Sequence, residues 1–233
     1  MILQSIKNLP ILTESVTIDV TPLSLYGHTE DIAKITANIK LENPMAEDTK
    51  FILPVCEGIK PPKIYLPNGN PLNIDSFEPT AEADIAQIPS MMQQALNTYI
   101  ETPTMDAMNE AVSIMSMYSE YKQNSQTITI PAGQQYITFS YSKFIPKNDD
   151  GTYTLETIVP LSSFTLNNTP GAKANIIILM PFEMATDMSK IVDARWTAPN
   201  GQPQELIRTA VGERITLSQY WQYDPQVVVR YRY

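Results

Sequence analysis

Apolar residues recur at every second position along most of this chain. In ESVTIDVTPLSLY, Val16, Ile18 and Val20 fall on one side of an extended backbone, and Thr17 and Asp19 on the other. In IAKITANIKLEN, Ile35, Ala37, Ile39 and Leu41 alternate in the same way with Lys34, Thr36, Asn38 and Lys40. Successive side chains of a strand point to opposite faces, so this period predicts half-buried antiparallel strands with one solvated face. Further short runs follow, among them TKFILPV, PKIYL, QQYITFSYSKFI, TYTLETIVPL, AKANIIILM, KIVDARWTA, QELIRTA, RITLSQY and QVVVRYRY, divided by Pro, Gly and Asn turns. Some dozen strands at this spacing predict a mainly β protein, an antiparallel β-sandwich of jelly-roll type.

The period changes between residues 80 and 123. Pro89 is admissible in a first helical turn, and Met92, Ala95, Leu96, Tyr99 and Ile100 then recur at helical spacing. Thr102 is the expected N-cap of a second piece, with Pro103 at its first helical position. Beyond it Met105, Met108, Val112 and Met115 form one stripe flanked by Ala111, Ile114 and Tyr118. Asp106 and Glu110 sit early and Lys122 late, which suits the helix dipole. The expectation is a helical hairpin inserted at 80–123 between a β module at 1–79 and another at 124–233, the two modules being free to form one sandwich. A faint internal echo marks either two related modules or the chance recurrence of proline-bracketed Asn-Gly turns common in β proteins. Pro-Asn-Gly-x-Pro occurs twice, at Asn68-Gly69 and Asn200-Gly201, each time between strand-like runs, and Asn-Gly is the strongest short hairpin signal.

Residues 90–123 hold six of the 11 methionines. Met91-Met92, Met105-x-x-Met108 and Met115-x-Met117 have a spacing that suggests soft Cu(I) ligation by thioether sulfur. The segment has no His or Cys, however, and methionine is the adaptable filler of irregular cores and interfaces. Met92, Leu96, Met105, Met108, Val112, Met115 and Tyr118 are therefore expected to form a contact surface, either on the sandwich or on a neighbouring subunit, and no cofactor or metal is expected.

Composition narrows the function classes. The net charge of −9 offers no basic footprint for nucleic-acid phosphates or anionic lipid. Charged residues are only 18% of the chain, so the surface is expected to be covered largely by Ser, Thr, Asn, Gln and Tyr or partly hidden by partners. Nineteen prolines against eight glycines point to stiffened turns. Cys56 is the single cysteine, which excludes an internal disulfide. The first residues lack a signal-peptide pattern, and the apolar run Ile176 to Met180 is far too short to span a membrane. Synthesis in the cytoplasm, followed by residence in a virion or other intracellular assembly, is the expectation.

Candidate chemistry is sparse. His28, the only histidine, sits in the turn-like LYGHTED with no G-x-S-x-G elbow elsewhere. KNDDGTY at 147–153 carries Asp149 and Asp150 but lacks the spacing of a calcium loop, and Asp-Gly is first a hairpin turn. One Cys and one His cannot furnish a zinc site. Aromatic residues gather at Trp196, Tyr220, Trp221, Tyr223, Tyr231 and Tyr233. Trp196, Tyr220 and Trp221 are candidate ligand-binding positions, and core packing is the competing role. In QVVVRYRY, Val227, Val229, Tyr231 and Tyr233 share one face, expected to pair within its own sheet. The expected function is a non-enzymatic structural subunit of a larger assembly, a phage or virus particle component such as a capsid, decoration or tail-connector protein. Its partners are copies of itself and other subunits, not nucleic acid, a membrane or a small-molecule substrate. The alternative is a carbohydrate- or protein-binding β-sandwich module using the C-terminal aromatics.

Overall fold

The computed structural model describes residues 4–5, 10–54, 63–72, 78–79, 87–104, 107–108, 125–158, 173–197, 202–221 and 226–233. The chain runs through β1 (Gln4–Ser5), β2 (Ile11–Thr21), β3 (Glu30–Leu41), β4 (Thr49–Pro54), β5 (Lys63–Tyr65) and β6 (Glu78–Pro79) to helix α1 (Gln87–Glu101). It continues through β7 (Ser125–Ile130), β8 (Tyr136–Pro146), β9 (Tyr153–Ile158), β10 (Lys173–Leu179) and β11 (Ile191–Thr197). Last come β12 (Pro203–Glu205), β13 (Ile207–Val211), β14 (Arg214–Trp221) and β15 (Gln226–Tyr231). Short 3-10 turns at Leu23–Tyr26, Phe182–Met184 and Met188–Lys190 join some of them.

These strands form three sheets, so the fold is mainly β and sandwich-like. The largest has seven strands in the order β13-β14-β10-β2-β3-β8-β5. The others are β1-β4-β7-β6 and β12-β11-β15-β9. Pairing is antiparallel except between β10 and β2, where Lys173–Leu179 runs alongside Thr13–Asp19. Strands from before and after the helix share sheets, β3 with β8 and β4 with β7. Segments 1–79 and 124–233 are thus interleaved rather than side by side. The hairpin around Asn68-Gly69 forms, with Gly69 at φ 78 and Leu66 donating to the Asn70 carbonyl at 2.9 Å. Asn200-Gly201 lies outside the described residues, as does Cys56.

Alternation becomes burial directly. Val16, Ile18 and Val20 of β2 and Ile35, Ala37, Ile39 and Leu41 of β3 are all buried. They belong to one contiguous core with Phe51, Ile128 and Ile130 of the sheet β1-β4-β7-β6 and Val227, Val229 and Tyr231 of the third sheet, β12-β11-β15-β9. Between the seven-stranded and third sheets, Trp221 of β14 meets Trp196 of β11 edge to face at 5.7 Å. β15 pairs with β11 and β9 on its two sides, inside its own sheet.

A polar seam crosses the same core. Asp31 lies on β3 just ahead of Ala33 and Ile35 in the inward phase and is fully buried. Its carboxylate accepts from Tyr231 Oη at 2.8 Å, Tyr233 Oη at 2.5 Å, Ser24 N–H at 3.0 Å and Ser24 Oγ at 2.5 Å. Tyr153 stacks on Tyr231 and meets Tyr233 edge-on, both at 5.4 Å. Burial first pushes both tyrosine hydroxyls well above the ordinary tyrosine range. At Tyr231 the neighbouring Tyr233 and then Asp31 add to the rise, and at Tyr233 the Asp31 carboxylate adds to it while the Tyr231 hydroxyl opposes it. Asp31 therefore ties the third sheet to the 3-10 turn after β2.

Helix α1 buries Ala95, leaves Met92, Leu96 and Tyr99 half-buried, and exposes Ile100. The expected cap is corrected by two residues. Thr102 closes α1, its N–H donating to the Thr98 carbonyl at 2.8 Å. It is Thr104 Oγ1 that accepts from Ala107 N–H at 3.2 Å, while Met108 N–H donates to the Thr104 carbonyl. With Thr104 making the capping bond, Pro103 precedes the cap instead of following it.

Candidate contact surface

Two places on the surface concentrate polar or aromatic side chains. The first is a shallow open hollow of about 700 Å³ on the outer face of β9, β15 and β11, lined by Lys147, Asp149, Glu156, Asp193, Arg195 and Arg230 among others. Its base is the 147–153 hairpin. Gly151, at φ 80, donates to the Asn148 carbonyl, and Asn148 N–H donates to the Thr152 carbonyl at 2.7 Å. Asp150 is engaged already, accepting from Thr152 N–H and Oγ and pairing with Arg230. Arg195 pairs with Asp193 at 3.2 Å. Opposite charges answer each other locally, which leaves this wall a solvated, salt-linked sheet face. Among the described residues no three His, Cys, Asp or Glu side chains group to hold a metal ion.

The second place lies at one end of the seven-stranded sheet and starts from an arginine. Arg214 opens β14 directly after the Gly212-Glu213 turn. Its side chain is only 12% exposed. The guanidinium donates to the carbonyls of Met180 and Leu179 and to the Asp19 carboxylate, joining β14, β10 and β2. Over it lies the Phe182 ring, 4.4 Å from the guanidinium carbon and 62% exposed. Phe182 is held out by the turn Phe182–Met184. Pro181 leads into that turn and Ala185, at φ 49 and ψ −135, closes it by donating to the Phe182 carbonyl. Ala185 is the one non-glycine residue with positive φ among those described, a costly conformation kept where surroundings enforce it.

Next to Phe182, the Glu183 carboxylate accepts from Tyr26 Oη at 2.7 Å. That bond raises the Tyr26 hydroxyl above its usual range, with the glutamate's charge adding to the effect. Tyr26 is 67% exposed and sits on the turn whose Ser24 is fixed by Asp31. Val211, also exposed, stands across from Arg214 in the β13–β14 hairpin. Tyr26 and Phe182 are thus two exposed aromatic rings, each with a fixed partner.

The residues singled out from sequence scatter. Met92, Leu96 and Met108 are half-buried, while Met105, Val112, Met115 and Tyr118 lie outside the described residues. Trp196 and Trp221 are core residues, at 5% and 3% exposure, and Tyr220 projects from the opposite face of β14. The three cannot make one stacking platform. The phase of RITLSQYW contains that result, because Trp221 falls with Ile215 and Leu217 and Tyr220 with Thr216 and Ser218. His28 follows Gly27 in the turn after Tyr26, exposed, its N–H bonded to the Leu23 carbonyl. Tyr26, Phe182, Glu183 and Arg214 carried no motif. Their one signal is a large aromatic residue placed directly after Pro181.

No protein-family model matches this chain, and no curated protein is significantly similar to it in sequence. Among solved structures it is similar to crystal structures of the M1 zinc metallopeptidase of Deinococcus radiodurans. For one mutant of that enzyme the TM-score is 0.37 at 10% identity, and for the unmutated enzyme 0.35 at 11%. Each match covers 95% of this chain but 42% of the metallopeptidase, so the chain spans less than half of that protein's length. A likeness this distant carries no argument about activity. No helix among the described residues is long and apolar enough to cross a membrane.

Proposed function

We propose that this chain is a non-enzymatic structural subunit of a larger protein assembly, meeting its neighbours through the surface built on Tyr26, Phe182 and Arg214. One observation supports this above the others. Two large aromatic side chains stand in water yet are held in place, Tyr26 by Glu183 and Phe182 by Arg214. Fixing exposed side chains beforehand removes part of the ordering cost of association. Aromatic residues and Arg are also the types enriched at the centres of protein contacts. A phage or virus particle component is the form of assembly that the low charge and proline-rich turns suggest.

Size-exclusion chromatography with light scattering at micromolar concentration tests the reading. The expected result is a defined oligomer that becomes smaller when Tyr26→Ser and Phe182→Ser are combined, with the circular dichroism spectrum unchanged. A strict monomer, indistinguishable from the double variant, would overturn it.

A further inference from the structure

The seven-stranded sheet ends on one side at β13, and residues 203–205 and 207–211 form a ribbon there that is exposed but for the half-buried Arg208. β12 is the last strand of the third sheet and β13 the last of the seven-stranded one. The chain changes sheets at Leu206, which is buried. Ile207 and Val211 are 56% and 61% exposed, and Thr209 and Ala210 are exposed as well. Free strand edges are templates for pairing, and proteins usually blunt them with proline, lysine or a cover. β13 carries neither proline nor lysine, and its single charge, Arg208, folds back to the Ile191 carbonyl at 3.4 Å.

We infer that β13 pairs with β13 of a second copy, antiparallel about a two-fold axis at Thr209, and so joins two seven-stranded sheets into one. The inference rests on the assembly reading above and names one of its contacts. Backbone phase supports it first. Val211 and Arg214 flank a two-residue turn, so they exchange hydrogen bonds, and so in alternation do Thr209 and Ile207 with β14. The N–H and C=O groups of Arg208 and Ala210 therefore point away from the sheet. Leu206 agrees with that phase, its N–H donating outward to the Ala194 carbonyl of β11 at 2.9 Å. Among the described residues β13 has β14 as its one strand neighbour.

Side-chain chemistry then selects the register. Centred on Thr209, Ile207 faces Val211 of the second copy, Arg208 faces Ala210, and the outward groups of Arg208 and Ala210 form a closed set of hydrogen bonds. Centred on Arg208, two guanidinium groups would oppose each other. Centred on Ala210, Ile207 would face Glu213. Glu205 does not oppose Glu213 in the favoured register, because the chain has already left this sheet at Leu206. The opposite edge, β5, is three residues long and begins with Lys63, which makes it a poor partner for a five-residue strand.

Two substitutions test the pairing by light scattering at micromolar concentration. Ala210→Pro removes an outward N–H that β14 does not use, a position where an edge strand tolerates proline. Two hydrogen bonds are lost per dimer, so dimer affinity should fall by roughly thirtyfold. In a Cys56→Ser background, Thr209→Cys should oxidise to a covalent dimer. Residues facing each other in a non-hydrogen-bonded pair bring their Cα atoms within disulfide range. Ala210→Cys should not form that dimer. An oligomer that responds to Tyr26→Ser with Phe182→Ser but not to Ala210→Pro, and does not cross-link through Thr209→Cys, overturns the edge pairing and keeps the assembly reading. Growth into long filaments that Ala210→Pro abolishes overturns the two-fold arrangement in favour of pairing with β5. A strict monomer that fails to cross-link sinks both.

Discussion

This molecule makes the same tyrosine–carboxylate contact in two settings. At the seam, Tyr231 and Tyr233 donate to Asp31, with the carboxylate wholly out of water. At the surface, Tyr26 donates to Glu183 at 2.7 Å, with the tyrosine two-thirds exposed. The distances hardly differ, yet the energetic weights do. A buried carboxylate has no water to fall back on, so each donor it loses costs close to the full desolvation penalty. An exposed carboxylate trades its tyrosine for water at little cost. The seam therefore holds the sheets together, whereas the surface pair fixes the position of a ring. The two are also joined, because Ser24, bonded to Asp31, lies two residues before Tyr26 on the same turn.

Breaking the seam at its centre should have the largest effect. Asp31→Ala leaves two tyrosine hydroxyls and two Ser24 donors without their acceptor, and is expected to cost about 4 kcal/mol. Urea unfolding monitored by tryptophan fluorescence measures the loss, since Trp196 and Trp221 are buried between the sheets. A loss below about 1 kcal/mol, the mean for point mutants, would show that the seam is incidental.

Removing one donor at a time is milder. Tyr231→Phe keeps the ring stacked on Tyr153 and deletes one hydrogen bond to a charged group, costing about 2 kcal/mol. The pH response follows from the raised hydroxyls of Tyr231 and Tyr233. Above the ordinary tyrosine value of about 10 the unfolded chain releases protons that the folded one keeps. The folded state then binds more protons, so stability is fully present below about pH 10 and falls as pH rises beyond it. Tyr231→Phe with Tyr233→Phe should flatten that alkaline decline. A decline of unchanged steepness would assign it to other groups.

The inward phase of Tyr231 and Tyr233 was read from the sequence, whereas Asp31, their acceptor, was not singled out and the surface carried no pattern at all, for a physical reason. Asp31 precedes Ala33, Ile35 and Ala37 at the same two-residue spacing, and Tyr231 and Tyr233 continue that of Val227 and Val229, so alternation marks all three as inward. The strands themselves are equally readable, since burial on one face imposes a period of two. Sheet order is not. The parallel pairing of β2 with β10 joins residues about 160 positions apart, and no local pattern encodes it. The contact surface is harder still, because Tyr26, Phe182 and Arg214 come from two turns and a strand end. Only the sheet order brings them together. Trp196 and Trp221 show the converse, an aromatic cluster that invites a functional reading until strand phase sends both indoles inward.

The turn that carries Phe182 offers a way to stabilise the surface. Ala185→Gly relieves a left-handed φ of 49 and should raise stability by about 0.5–1 kcal/mol, less than the strain itself because glycine adds freedom to the unfolded chain. A decrease in the urea midpoint would show that the turn is not strained by its side chain.

The smallest expected change in stability bears most directly on function. Tyr26→Phe keeps the exposed ring and deletes only its hydroxyl, so Glu183 loses its donor and gains water. The melting temperature should stay within error of the wild type, in contrast to the same substitution at Tyr231. Self-association should weaken nevertheless, because a ring no longer fixed by Glu183 must be ordered as the partner arrives. A Tyr26→Phe variant that melts normally and associates more weakly separates the surface from the seam. Unchanged association would show that the bond to Glu183 does not prepare Tyr26 for contact, and a large drop in melting temperature would place Tyr26 with the seam.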